Sequence, residues 1–214
     1  MKTKLIHNAA IAALVITASA ASAVGADYAP FARVEATFTD TGYGSTLPDG
    51  FEPGAAITAG VFIRSQHEVS LTTGFTKWKG SEFGPVGVGR VSYDSEQIPV
   101  FLNYRYHFEA AKGLNLFIGP TLGFIHEKAT GNVILNAGVP GLKPEGRYND
   151  EAFKFAFGGT AGASYAFASG WDLVAAIQVT RVAGKDYDLA GSTTRDSYDS
   201  ATRVGFSLGV SYRW

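Results

Sequence analysis

The sequence predicts an all-β fold: an eight-stranded antiparallel transmembrane β-barrel with up-and-down meander connections. Three observations predict it. Apolar and polar residues alternate with the two-residue period of a strand, and this pattern recurs eight times after Tyr28. The segments between these stretches run long, short, long, short, long, short, long. The final stretch, Ala201 to Trp214, sets Thr202, Val204, Phe206, Leu208, Val210, Tyr212 and Trp214 on one face. Its other face holds Ala201, Arg203, Gly205, Ser207, Gly209, Ser211 and Arg213. A strand crossing an outer membrane needs this division, apolar toward lipid and polar toward the lumen, with an aromatic at the interface. One such strand commits the rest of the chain, because an open sheet edge cannot face hydrocarbon.

The first 26 residues read as a cleaved signal peptide. Lys2 and Lys4 form a positive start, Ala9 to Ala20 an apolar run, and Ala23 or Ala26 a small-residue cleavage position. The apolar run is short of the ~20 residues a membrane-spanning helix requires. The fold is therefore assigned to 27–214. Losing the two lysines takes the formal charge from −1 to −3.

The eight strands follow in order. Phe31 to Phe38 turns Ala32, Val34, Ala36 and Phe38 outward, against Arg33, Glu35 and Thr37. Ala55 to Arg64 turns Ile57, Ala59, Val61 and Ile63 outward, with Thr58, Gly60, Phe62 and Arg64 inward. His67 to Thr76 opposes Val69, Leu71 and Phe75 to Glu68, Ser70, Thr72 and Gly74. Gln97 to His107 opposes Ile98, Val100, Leu102, Tyr104 and Tyr106 to Phe101, Asn103 and Arg105. Leu114 to His126 turns Leu116, Ile118, Leu122 and Phe124 outward. Phe153 to Phe167 turns Phe155, Phe157, Ala161, Ala163 and Tyr165 outward, with Lys154 inward. Trp171 to Val182 turns Leu173, Ala175, Ile177 and Val179 outward, with Asp172 inward. Ala201 to Trp214 completes the set. All but the first, which at eight residues falls just short, reach the ~9–11 residues of a tilted crossing. Pro99 and Pro120 interrupt two strands where no free edge exists to absorb a missing N–H. Pro99 is expected at the start of its strand, before pairing begins, and Pro120 at a bulge or local bend.

The connections separate a membrane barrel from a soluble one. Short turns lie around Ser65-Gln66, Glu109 to Gly113 and Ala168-Ser169-Gly170. Long loops span Thr39–Gly54, Lys77–Glu96, Glu127–Ala152 and Ala183–Ser200. Short periplasmic turns and long extracellular loops have this asymmetry, which leaves both mature termini in the periplasm. A soluble lipocalin-type barrel would reverse the faces. Tyr106, Tyr165, Trp171, Tyr212 and Trp214 gather at the turn side, as an interfacial aromatic girdle requires.

Composition agrees. Gly numbers 26, aromatics make up 13%, Met occurs once, and no later run of 18 apolar residues supplies a membrane helix. Without cysteine there is no disulfide, lipidated Cys or thiolate metal site. A near-neutral charge offers no footprint for nucleic acid.

The Val204-to-Trp214 ending resembles the closing strand of bacterial outer-membrane barrels, whose terminal aromatic is read by the barrel assembly machinery. On that resemblance Phe206, Leu208, Val210, Tyr212 and Trp214 form the assembly signal. Ile98-Pro99-Val100, Asn103-Tyr104-Arg105-Tyr106 and Gly205 to Trp214 are similar to the small OmpA/OmpX-like barrels, the outer-membrane β-barrel domain family. The resemblance implies an integral protein of the outer membrane of a Gram-negative-type cell, surrounded by outer-membrane lipid and lipopolysaccharide. The longer OmpA-type proteins carry a peptidoglycan-binding domain, which this chain is expected to lack.

The inward ionisable residues are Arg33, Glu35, Arg64, Glu68, Arg105, Lys154, Asp172, Arg203 and Arg213. Charges in a narrow lumen must pair, hydrogen-bond or keep water. Two readings follow: an ion-pair network plugging a barrel that side chains just fill, or a thin anion-preferring path past Arg64, Arg105, Lys154 and Arg203. Lumen-facing glycines either leave room for such a path or ease coiling of the sheet. His67 and His107 fall on opposite faces and share no metal. His126 faces outward near Glu96 and Glu151. An outward His–carboxylate pair resembles that of outer-membrane lipid A deacylases, but Lys128 stands where they place a serine. Asp186, Asp188, Asp196 and Asp199 crowd the last long loop without the spacing of a calcium loop. Tyr43, Phe51, Trp78, Phe83, Tyr93, Tyr148, Tyr187 and Tyr198 suit either a recognition surface or a cap over the barrel. No catalytic, cofactor or metal residues are assigned. The primary expectation is a non-enzymatic barrel whose loops meet an extracellular ligand.

Overall fold

A strand with one apolar face settles in lipid only when both its edges are hydrogen-bonded, and the chain meets this condition by closing on itself. The computed structural model describes residues 27–42, 51–83, 90–134, 145–188, 195–198 and 200–214. The segment read as a signal, 1–26, lies outside the described residues. The strands are β1 (Tyr28–Gly42), β2 (Glu52–Ile63), β3 (His67–Phe83), β4 (Arg90–Ala111) and β5 (Leu114–Ile134). They continue with β6 (Glu145–Ala168), β7 (Trp171–Val182), β8 (Lys185–Asp188), β9 (Arg195–Tyr198) and β10 (Ala201–Arg213). Eight form a closed antiparallel barrel, β1-β10-β7-β6-β5-β4-β3-β2, and β8 pairs with β9 as a separate hairpin. Closure runs from Phe31 opposite Arg213 to Gly42 opposite Thr202. The Trp214 N–H donates to the Pro30 carbonyl at 3.0 Å, tying the two chain ends together.

The register determines the barrel's tilt. Stepping across paired residues leads from Phe31 to Gly60, Ser70, Asn103, Thr121, Gly158, Thr180, Arg203 and back to β1 at Thr41. One circuit therefore climbs ten residues, 31 to 41, over eight inter-strand steps. With ~3.3 Å per residue and ~4.8 Å per step, the strands lean about 40° from the axis.

The predicted faces hold along every strand. Outward apolar residues are exposed, as in Val34 at 65% and Ile118 at 61%, while inward Phe101 and Phe117 are 1% and 2% exposed. Tyr106, Tyr165, Trp171, Tyr212 and Trp214 all stand exposed at the short-turn end. The turns tighten where backbone requires it: Arg64 and Ser65 take φ of 53° and 60°, Gly113 77° and Gly170 74°.

Four expectations change. The long loops Lys77–Glu96 and Glu127–Ala152 are largely strand, because β3 pairs with β4 out to Phe83 opposite Arg90, and β5 with β6 out to Ile134 opposite Glu145. Pro99 lies buried in mid-β4 rather than at its start. The β3–β4 ladder skips from Thr73/Val100 to Thr76/Gln97, so the missing N–H falls where pairing lapses. Pro120 makes no bulge: pairing lapses between Asn103/Thr121 and Tyr106/Ile118 and resumes in the same register. Arg64 is the fourth. It sits exposed in the β2–β3 turn, its N–H bonded to the Asp27 carbonyl at 2.7 Å, and does not enter the lumen.

The lumen glycines mostly bring strands together. A Cβ on Gly119 would run into the Tyr104 carbonyl oxygen, whereas one on Gly159 would meet only the Gly119 carbonyl oxygen at 3.6 Å. Gly119→Ala is expected to cost about 1–3 kcal/mol, and Gly159→Ala to be neutral. The folded fraction on an unheated gel after refolding in detergent measures both.

Candidate functional site in the lumen and at the rim

Glu68 organises the turn-side half of the lumen. It is fully buried. Arg33 Nη2 donates to Glu68 Oε2 at 3.1 Å, Ser70 Oγ donates to Oε1 at 2.9 Å, and Arg105 Nη1 lies 3.4 Å from Oε1. His107 Nε2 is 3.0 Å from Glu68 Oε2. A carboxylate between two guanidiniums only accepts, so the shared proton sits on His107. Aromatic rings fill the remaining space. The His107 ring lies 4.9 Å from Phe62 and 5.0 Å from Phe117. Arg33, Arg105 and Arg213 stack on Phe31, Phe117 and Phe62 at 5.0, 4.8 and 4.8 Å. Below, Arg213 Nη2 donates to Asp172 Oδ2 at 3.0 Å. This layer spans the barrel.

Above it the lining is mostly hydroxyl and amide groups around the Glu35 carboxylate. Thr58 Oγ1 and Ser207 Oγ donate to the two oxygens of Glu35 at 3.0 and 2.9 Å. Asn103 donates to Thr72 at 2.9 Å and accepts from Thr121 at 2.8 Å. Toward the long-connection end, Lys154 Nζ donates to Glu127 Oε2 at 2.9 Å, with Ser95 donating to Oε1 at 3.3 Å. Arg203 Nη2 donates to Thr39 Oγ1 at 3.2 Å. Phe101, Ile125, Ala156, Val182 and Ala201 pack as an apolar layer at this level.

The structure thus brings Arg33, Glu35, Glu68, Arg105, Lys154, Asp172, Arg203 and Arg213 to the lumen and leaves out Arg64. Two members were missed. Glu127, placed by sequence at the start of a long loop, is instead part of β5, which continues past Ile125 and buries both. His107 shares the parity of Arg105, so alternation alone carries it inward. Phe206, Leu208, Val210, Tyr212 and Trp214 lie exposed on the lipid side. Of the loop aromatics, Phe51 packs on Phe206 at 5.1 Å, and the side chains of Tyr43, Trp78, Phe83, Tyr93, Tyr148, Tyr187 and Tyr198 lie outside the described residues. So do the side chains of the loop aspartates.

A charged row crosses the outer surface. Lys77, Glu96, Lys128 and Glu151 stand directly opposite one another on β3, β4, β5 and β6. Lys77 Nζ donates to Glu96 at 2.7 Å, and His126 Nε2 lies 2.9 Å from Glu151 Oε1. Just below are exposed Phe124, Phe153, Phe155 and Phe157. Charges facing lipid cost most at the midplane and little at the interface, so this row marks the membrane's edge.

Removing one partner from the buried cluster separates structural charge from surface charge. Glu68→Gln leaves Arg33 and Arg105 uncompensated and is expected to cost about 3–5 kcal/mol. Asp172 is buried too, but its partner Arg213 is 30% exposed and can keep water, so Asp172→Asn should cost less, about 1–3 kcal/mol. Urea unfolding midpoints of the two variants provide the check.

Comparison with known proteins bears on this architecture. Matched by sequence against curated proteins, the chain finds none. It is similar in fold to a major outer membrane protein of Thermus thermophilus (17% identity, 86% of this chain and 99% of that one, TM-score 0.52). It is also similar to the E. coli outer membrane protein W (14%, 87% and 97%, TM-score 0.50). Ail, the attachment invasion locus protein of Yersinia pestis, aligns at 13% identity over 87% and 97%, with a TM-score of 0.49. The model of the outer membrane protein beta-barrel domain matches residues 9–213. With a closed eight-stranded barrel, a lipid-facing apolar wall and that match across nearly its whole length, the chain belongs to the outer membrane protein β-barrel domain family and is an integral outer-membrane protein.

Proposed function

We propose that this is a non-enzymatic outer-membrane barrel with a plugged lumen, whose work is done by the sheet standing beyond the charged row. The observation that carries the reading is the way pairing stops unevenly. β2 leaves β3 at Gly54 opposite Thr76, and β7 leaves β6 at Ala156 opposite Val182. β3, β4, β5 and β6 stay paired for six residues past Lys77 and Lys128, about 20 Å at ~3.3 Å per residue. Among the described residues, the β3 edge from Lys77 to Phe83 and the β6 edge from Glu145 to Asp150 have no ladder partner on their outer side. An unpaired edge presents backbone donors and acceptors to an incoming strand. On this reading the sheet is extracellular, meets a ligand or neighbouring surface, and both mature termini are periplasmic. Outer-membrane lipids and lipopolysaccharide surround the wall, and the barrel assembly machinery reads the β10 ending.

A narrow anion-preferring channel is the second reading, favoured by the cation-rich lumen lining. Conduction would have to break the Glu68 cluster. The lipid-hydrolase reading gains a formed His126–Glu151 pair, but Lys128 offers no hydroxyl nucleophile there.

Shortening the sheet tests the proposal without touching the wall. Two-residue turns would join Lys79 to Asp94 and Thr130 to Asn149, positions already in cross-strand register. The variant should refold normally, and cells displaying it should lose surface adherence by at least tenfold. Unchanged adherence would sink the reading. Refolded 27–214 should be silent in a planar bilayer; a stable anion-preferring current altered by Arg105→Ala would promote the channel instead.

A further inference from the structure

Each strand of the wall is held by two ladders, and the two that flank β4 are the ones with gaps. Away from the short turns, the described pairings of β1 with β10 and β2, β2 with β3, β5 with β6, and β7 with β6 and β10 run without a missing pair. Between β3 and β4 the ladder skips Gly74/Pro99 and Phe75/Ile98. Between β4 and β5 it skips Tyr104/Pro120 and Arg105/Gly119. A proline stands at each gap and brings no N–H to it. The stretch from Ile98 to Arg105 is therefore bounded by two weak points, one on each side. We propose that this stretch is a gate, the movable stave of the wall, held shut by Asn103. The inference rests on the plugged lumen proposed above.

Asn103 lies between the two gaps and ties β4 to both neighbours. It is fully buried. Its Nδ2 donates to Thr72 Oγ1 of β3 at 2.9 Å, and its Oδ1 accepts from Thr121 Oγ1 of β5 at 2.8 Å. The groups beyond it fix the orientation of the amide. Thr58 gives its one hydroxyl proton to Glu35 Oε2, so Thr72, 2.8 Å away, donates to Thr58 and has only acceptor capacity left for Asn103. Every donor from Thr121 to Thr58 thus points toward one carboxylate. A buried network satisfied in this way is rigid, and loss of one member is felt along it. Asn103 supplies by side chain the cross-strand bonds that the backbone lacks nearby.

What the stave carries makes its position matter. On its lumen face Phe101 belongs to the apolar layer, while Arg105 lies 3.4 Å from Glu68 and stacks on Phe117 at 4.8 Å. His107, two residues on, completes the Glu68 contacts. One outward bow of β4 draws a plug residue from both layers at once, while the other ladders stay closed against lipid. Local opening takes the most weakly bonded segment first.

Hydrogen exchange of the refolded full barrel in detergent, together with planar-bilayer recording, tests the gate. Val100, Phe101 and Leu102 are paired on both sides, so their amide protons report opening rather than a missing partner. In Asn103→Ala these amides should exchange at least tenfold faster than in wild type, with those of Val174 to Gln178 on β7 unchanged. The silent bilayer should then show brief openings. Adding Pro99→Val and Pro120→Val to Asn103→Ala returns two N–H groups and should bring both readouts back toward wild type. Thr121→Val removes only the β5 half of the clasp; it should give a smaller change of the same pattern, and it carries the test if Asn103→Ala does not fold. Acceleration spread evenly over β4 and β7, unchanged β4 exchange, or a silent bilayer in every folded variant would overturn the gate and leave the plug standing. A wild type that already conducts would overturn both.

Discussion

Backbone hydrogen bonding in a medium that offers none is the constraint on which everything else depends. Each strand of the wall must pair on both sides, so β1 and β10, at opposite ends of the chain, have to meet. The Trp214–Pro30 bond and the twelve-residue register from Phe31 to Gly42 are what that requirement looks like locally. The ten-residue climb around the circuit then sets the tilt, and with it which inward side chains share a level. Glu68 meets Arg33 and His107, from β1 and β4, only because of that stagger.

The interior answers a second constraint. Eight strands enclose a space that side chains nearly fill, and the sequence supplies it with charge. Buried ions are tolerated when each finds partners, and the Glu68 cluster achieves this through two guanidiniums, an imidazole and a hydroxyl around one carboxylate. Flanking Phe rings exclude water and stack on the guanidiniums, which strengthens the pairing by lowering the local dielectric. The result is a crosswise layer rather than a lining, which is why a plugged barrel is a better reading than an open path.

Outside, the same chain separates two solvents by changing residue type along continuous strands. β3 to β6 pass from Phe and Leu through Lys77, Glu96, Lys128 and Glu151 and continue, still paired, beyond the membrane. Where β2 and β7 turn away, the outer edges of β3 and β6 have no ladder partner among the described residues. On the reading proposed above, a sheet that must be closed in lipid is open in water, and that contrast is what makes it a surface for recognition.

Alternation, turn lengths and the aromatic ending were enough, read as sequence, to establish the eight crossings, their facing and most lumen charges. Side-chain direction in a strand is a local property with a period of two, so Arg33, Glu68, Arg105, Lys154 and Arg203 were legible one strand at a time. Only the tertiary structure decided the rest. Arg64 leaves the lumen because the turn takes it into positive φ, and Glu127 enters because neighbouring β4 and β6 extend the pairing of β5 past an apolar Ile125. The prolines sit where ladders lapse on one side, a fact belonging to two strands at once. Which charges meet and how far the sheet extends both follow from register between strands. Register is fixed by closure of the whole barrel, and no single stretch of sequence carries it.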